Sequence, residues 1–232
     1  MKNLTTQKGE EDMFLIDLLL LPILLFLFFS ILILPFQFAF YSLINIITIP
    51  GQLIKIAINK KLRQNHALEH STINVLEREF GYRKLAGYAT EQGFFIQGKV
   101  HPAHLENAAI IGLQRLQRGE NHLAIHNRCG TSMLAANFVA AVIFIVLLWQ
   151  TGMFNFFNII VAIILSQFVG PLAGRILQRF ITTSAQVKDM DIIGVEYNSR
   201  NFIGIFGMSF PQTPNKFFVR TQKSDQVEII RI

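Results

Sequence analysis

Charge vanishes from this chain twice. No Asp, Glu, Lys or Arg occurs from Leu18 to Ile54, and none from Cys129 to Gly174. Apolar stretches beyond about 18 residues read as membrane-spanning helices. The first, residues 13–50, is interrupted by Pro22 and Pro35 and closed by Pro50-Gly51. As one straight helix it would be roughly 55 Å long, against a bilayer core of about 30 Å. The expectation is a membrane anchor that tilts, kinks at proline, folds back as a hairpin or continues along the interface. Residues 133–150 and 153–170 follow, split by Gln150-Thr151-Gly152. Each is about 27 Å as a helix, enough to span once, so the pair predicts a transmembrane hairpin over 132–170.

Between the apolar stretches the period changes. Leu62, His66, Glu69, Ile73, Leu76 and Phe80 recur at helical spacing, one stripe of a helix ending at Gly81. Leu85 to Thr90 and Phe94 to Val100 read as strands joined by a short turn. His101-Pro102 opens a second helix with Leu105, Ala109, Gly112 and Leu116 on one face, closed near Gly119. Leu123-Ala124-Ile125 reads as a short strand delivering His126. Residues 51–131 thus form a soluble α+β unit. The segment 171–232 holds four short candidate strands, Ile192 to Tyr197, Phe202 to Phe206, Phe217 to Arg220 and Val227 to Ile230, around a Pro211-Gln212-Thr213-Pro214 turn. Residues 1–12 are polar and are expected as a loose tip. The fold class is α+β with transmembrane helices: an N-terminal anchor, a soluble α+β unit, a helical hairpin and a small β-rich tail.

Composition agrees. The chain is 51% hydrophobic and 16% charged, where soluble domains carry about 25% charged residues. The formal net charge is +6. Eleven Lys/Arg fall in residues 51–131 and eight from Arg175 onward. Two basic segments flanking a hairpin fit cytoplasmic placement by the positive-inside rule. Aromatic and basic residues do not interleave as a nucleic-acid groove requires, so the charge is read as membrane topology, with the lipid bilayer as partner and no nucleic acid. Glu10, Glu11, Asp12 and Asp17 precede or open the first apolar stretch, unlike the basic start of a secretory signal, so the stretch reads as a retained anchor. A single cysteine excludes an intrachain disulfide.

The metal-binding side chains are concentrated in one block. All six histidines lie between residues 66 and 126, and Cys129 follows. His66-Ala67-Leu68-Glu69-His70 spells H-x-x-E-H within the first helical stripe. Positions i and i+4 lie one above the other on a helix, so His66 and His70 can address one metal ion, with Glu69 beside them as base or orienting group. The alternative is a pair of ordinary helix histidines, or a proton shared with Glu69. Burying these groups unpartnered costs several kcal/mol, so something must pair them. His126 and Cys129 form a second candidate pair, with Thr131 or Ser132 as the expected N-cap of the following helix and Cys129 as a thiol of lowered pKa. His126 as base for Cys129 would instead make a thiol hydrolase. His101 and His104 straddle a helix start and His122 lies in a turn, so these three read as cap or surface residues.

The stretches Asn65-His66-Ala67-Leu68-Glu69-His70-Ser71-Thr72, Leu85-Ala86-Gly87, Gly93-Phe94-Phe95-Ile96-Gln97-Gly98, Leu123-Ala124-Ile125-His126 and Cys129-Gly130-Thr131 resemble an uncharacterised cyanobacterial membrane family, domain of unknown function 6391, over roughly residues 50 to 190. A second uncharacterised bacterial membrane family, domain of unknown function 1385, is similar more loosely through a Glu-His pair and a later His-x-x-Cys-Gly-Thr-Ser. The resemblance implies that both motifs belong to one site and supplies no reaction. Five residues also resemble the inverted zinc-peptidase motif, in which a third, acidic ligand follows downstream; Glu77 and Glu79 are the carboxylates available here.

The expected ligands are therefore His66, His70, His126 and Cys129, the expected metal is zinc, and Glu69 is the candidate catalytic residue. With an open coordination position the protein is a metal-dependent hydrolase, of the peptidase or amidase class. With four protein ligands the site is closed and structural, and the protein is a non-enzymatic scaffold or assembly factor.

Overall fold

The computed structural model describes residues 2–127, 129–152, 156–197, 201–203, 209–211 and 215–224. The sequence-predicted strand at Val227 to Ile230 lies outside them, as do parts of the Phe202 to Phe206 strand and of the turn at Pro211 to Pro214.

Helix α1 runs unbroken over Lys2–Ile58 with Pro22, Pro35 and Pro50 inside it. It does not fold back, and the N-terminal tip is helical from Lys2. Its described apolar part, Leu20–Ile58, has 39 residues, about 58 Å of helix, so it overruns a bilayer core. Pro35, Ala39, Ser42 and Ile49 are buried at spacings of four, three and seven, one stripe turned toward the rest of the membrane unit. The residues around them are exposed, as lipid-facing positions are.

Helices α4 (Gly130–Thr151) and α5 (Phe156–Leu177) are the hairpin, so three described helices are long and apolar enough to cross a membrane. The second leg continues through a π-turn to Thr182, beyond the expected end at 170. Small residues set the α4–α5 distance. A Cβ on Gly170 would come within 2.5 Å of Ala136, and one on Gly174 within 2.6 Å of Ser132 Oγ. Such close backbone approach substitutes for the hydrophobic drive that lipid removes. Phe38 of α1 meets Phe144 of α4 edge-on at 5.0 Å, beside Ala39, Ile159 and Ala162.

The remaining elements build one layered unit. Helices α2 (Lys60–Arg78) and α3 (Pro102–Gln117) cover one face of an antiparallel sheet ordered β1-β2-β6-β3. Strands β1 (Ala86–Thr90) and β2 (Gly93–Gln97) precede the hairpin, while β3 (Met190–Tyr197) and β6 (Lys216–Lys223) follow it. A two-stranded pair, β4 (Asn201–Ile203) with β5 (Ser209–Pro211), lies between them in sequence. The segment read as a separate tail therefore supplies half of the four-stranded sheet. Phe94 pairs with Val219 and Ile96 with Phe217, all four pointing inward onto Leu68, Leu76 and Leu105. Burying each large apolar side chain contributes about 1.5–3 kcal/mol. On the opposite face Tyr88, Phe95 and Phe218 form a ladder with 4.6 Å between successive rings.

Candidate metal centre

Helix α2 starts at the cap Asn59, whose side chain accepts the Leu62 N–H at 3.0 Å. From Gln64 to Leu76 every residue is buried, polar ones included. A helix enclosed on all sides must hydrogen-bond its polar side chains. Asn65 donates to the Thr90 and Glu91 carbonyls and accepts from the Thr221 hydroxyl at 2.7 Å. Asn74 donates to the Leu123 and Ile125 carbonyls. Gln64 donates to the Gln186 carbonyl and to Asp189. Against this pattern Gln64 Oε1, Glu69 Oε2 and His70 Nε2 are buried with no hydrogen-bond partner among the described residues.

The two histidines are held alike. His66 Nδ1 donates to the Thr182 carbonyl at 2.9 Å, and His70 Nδ1 donates to the Ala124 carbonyl at 2.8 Å. A carbonyl can only accept, so each Nδ1 carries its proton and the neutral ring presents Nε2 as a lone pair. Metal-binding histidines are fixed in this way. Burial, and next the neighbouring His66, hold His70 well below its ordinary pKa, which keeps it neutral.

Cys129 completes the cluster. It is itself the N-cap of α4, its Sγ accepting the Thr131 N–H at 3.4 Å and lying 3.0 Å from Thr131 Oγ1. Neither Thr131 nor Ser132 caps the helix. Nor is the thiol acidic: burial pushes its pKa up, and the bonds from Thr131 offset only part of the shift. A coordinated cation reverses that preference, since it deprotonates a thiol outright. Sγ lies 3.2 Å from His66 Nε2, and the ligand atoms of His66, His70 and Cys129 all fall within 4.8 Å of one another. Ligands at 2.0–2.3 Å around a tetrahedral ion are on the order of 3.3–3.6 Å apart, so His66 and Cys129 already stand at ligand spacing and the widest pair must close by up to about 1.5 Å.

Glu69 borders this cluster, its Oε2 3.9 Å from His66 Nε2. Desolvation raises its pKa from 4.5 to about 8, opposed in part by His66 and assisted by Cys129. Gly87 of β1 makes room for the carboxylate, because a Cβ there would sit 2.5 Å from Oε1.

His126 stands beside the cluster but does not point into it. Its ring centroid is 6.0 Å from that of His70, and its Nε2 meets Glu77 Oε2 at 3.3 Å. Gln178 clamps its backbone, accepting the His126 N–H at 2.9 Å and donating to its carbonyl at 3.1 Å. The imidazole against the thiol is thus His66, not His126. Neither suggested acidic ligand joins the cluster, since Glu77 faces His126 and Glu79 pairs with Arg115 at 2.6 Å. His101 caps the start of α3, His104 Nδ1 bonds the Tyr82 hydroxyl at 2.8 Å, and His122 is exposed on a 3-10 turn. The backbone acceptors Thr182 and Ala124 carry no side-chain signature, so no sequence motif marks them. Gly87 does stand in one of the resembling stretches, and its role follows only from its contact with Glu69.

No solved structure matches the chain. An uncharacterized protein of the cyanobacterium Picosynechococcus sp. is 34% identical over 137 residues, covering 53% of this chain and 66% of that relative's length. The family described as Domain of unknown function (DUF6391) matches residues 61–195, a span that holds His66, Glu69, His70, Cys129 and the Thr182 carbonyl. This uncharacterised family is the one to which the chain belongs.

Proposed function

We propose that this membrane protein is a zinc-dependent hydrolase of the peptidase or amidase class, with His66, His70 and Cys129 as ligands and Glu69 as general base. One observation carries the reading. Two Nε2 lone pairs and one thiol converge, and a buried carboxylate oxygen with no hydrogen-bond partner among the described residues lies beside them. Imidazole and thiolate donors in a four-coordinate arrangement suit zinc best. Three protein ligands leave one position open, the arrangement of catalytic rather than structural zinc. Zinc bound there would supply Lewis acidity and a water of lowered pKa. With the ion in place, Glu69 would be the residue that accepts the proton released beside His66 and passes it to the leaving group. Its raised pKa suits both steps near neutral pH, and a neighbouring cation draws it down toward the base form. The closed, scaffold alternative needs a fourth protein ligand, and His126 is engaged with Glu77 instead.

The cluster sits where the hairpin emerges, between the cap of α4 and the end of α5. Substrate would therefore be met at the membrane surface. By the distribution of Lys and Arg we place that surface in the cytoplasm.

Three variants made side by side test the assignment. Glu69→Gln should fold and keep its metal but lose the cellular function by a factor of 10² or more. His70→Ala and Cys129→Ser should lose metal and lower the melting temperature. A fully functional Glu69→Gln protein would remove the hydrolase and leave the scaffold.

A further inference from the structure

Two clefts share Arg179, Thr183 and Ala185 as wall residues. One, of about 490 Å³, is bounded by Ala57, Ile58, Lys60, Arg63 and Ser184 among others. The other, of about 400 Å³, runs on past Asn121, His122 and Phe180. No carboxylate lines either cleft. Arg63 is fixed in place by the carbonyls of Ala57, Phe180 and Thr183, which hold its guanidinium without neutralising it. Lys60, Arg63 and Arg179 have no ion-pair partner among the described residues. Three cations thus share a concave site with the Ser184 hydroxyl, while the Thr183 hydroxyl donates to the Gln178 carbonyl. The cations and the Ser184 hydroxyl are a donor set matched to a phosphate.

Depth identifies the source of that phosphate. The rim is made of the last residues of two apolar spans, Ile58 of α1 and Phe180 near the end of α5. The 27-residue span that ends there is about 40 Å of helix, a bilayer with its headgroup regions, so Phe180 lies at the level of lipid headgroups. Ile58 is 79% exposed and Phe180 64%. One turn back on each helix, Ile54 and Ile176 are exposed as well. An apolar track therefore leads from the cationic cleft toward the hydrocarbon, which suits an acyl chain and not a soluble anion. Basic pockets between spanning helices bind lipid headgroups by this combination.

We propose that the joined clefts bind one anionic phospholipid, its phosphate held by Lys60, Arg63 and Arg179 and its acyl chains lying along Ile54, Ile58, Ile176 and Phe180. The site is distinct from the metal centre, and its occupancy does not depend on the reaction proposed above.

Native mass spectrometry of the full chain in detergent tests this, with phosphatidylglycerol, phosphatidylcholine and free glycerol 3-phosphate as probes. The expected result is one retained phosphatidylglycerol per chain, with little phosphatidylcholine and no glycerol phosphate. Lys60→Gln/Arg179→Gln should weaken retention at least tenfold. Arg63 is left intact because it holds three carbonyls, and melting in detergent alone verifies that the variant folds. Arg83→Gln/Lys84→Gln removes equal charge from another surface cleft and should change nothing. Equal retention of both lipids, binding of glycerol phosphate alone, undiminished retention in the first variant, or equal losses in both would each overturn the site.

Discussion

Glu69 and His70 are neighbours in sequence, both buried, and burial moves their pKa values in opposite senses. Each is driven toward its neutral form, which is what a low-dielectric site does to any unpaired charge. The consequence for stability can be signed. Glu69 has a folded pKa above its unfolded value, so its contribution is full below about 4.5 and is lost as pH rises toward about 8. His70 has a folded pKa below its unfolded value of 6.5, so its contribution is full above 6.5 and lost below. The two oppose each other at acid pH, and from 6.5 to about 8 only Glu69 changes. Metal-free protein should therefore lose stability across that window, by at most about 1.4 kcal/mol per pH unit. Chemical denaturation of chelated protein at several pH values measures it. A Glu69→Gln variant should show no such slope, and an identical slope in that variant would assign the titration elsewhere.

At the same scale, Gly87→Ala tests the fit of the carboxylate. Its Cβ would overlap Glu69, at a cost of roughly 1–3 kcal/mol with the carboxylate displaced. Loss of function with metal retained is the expected pattern, and wild-type stability would mean that β1 yields. The sequence showed the H-x-x-E-H spacing and Cys129 plainly. It did not show that His126 would turn to Glu77, because that choice depends on how the 3-10 turn at Asn121–Ala124 and Gln178 orient its backbone.

Among the elements, α2 was legible by its stripe at Leu62, His66, Glu69 and Ile73, but its full enclosure was not. Gln64, Asn65 and Asn74 lie outside that stripe, yet they are buried on carbonyls contributed from far along the chain. The hairpin was legible from hydropathy alone, yet α5 outruns its expected end because the helix passes Pro171 and widens into a π-turn. That extension matters chemically, since it places the Thr182 carbonyl against His66. Hairpin packing should thus set ligand geometry. Gly174→Val would push on Ser132, three residues from Cys129, and should weaken zinc binding at least tenfold. Gly51→Ala, with open space around it, should leave affinity unchanged. Unaltered affinity in the Gly174→Val protein would uncouple the hairpin from the site.

On the scale of the whole molecule, the sequence suggested a soluble unit and a separate tail, whereas β6 lies between β2 and β3 in one sheet. Pairing between strands more than a hundred residues apart leaves no local signature, only the alternation of buried Phe217, Val219 and Thr221 with exposed or half-buried neighbours. One sheet cannot be divided by a bilayer, so both segments must emerge on the same side. Reporter fusions after Gly119 and after Ile232 should report identical sidedness, and opposite signals would mean that α4 or α5 does not cross. The unit thereby encloses α2 and sets it against the base of the hairpin, with Cys129 and Thr182 delivered by the two legs.

Zinc-edge X-ray absorption on the purified, metal-loaded protein addresses the central claim most directly. Two imidazole nitrogens and one sulfur per ion, completed by one light oxygen scatterer, is the shell that His66, His70, Cys129 and an open position require. A third imidazole in place of that oxygen, or a protein that binds no metal stoichiometrically while correctly folded, would contradict it.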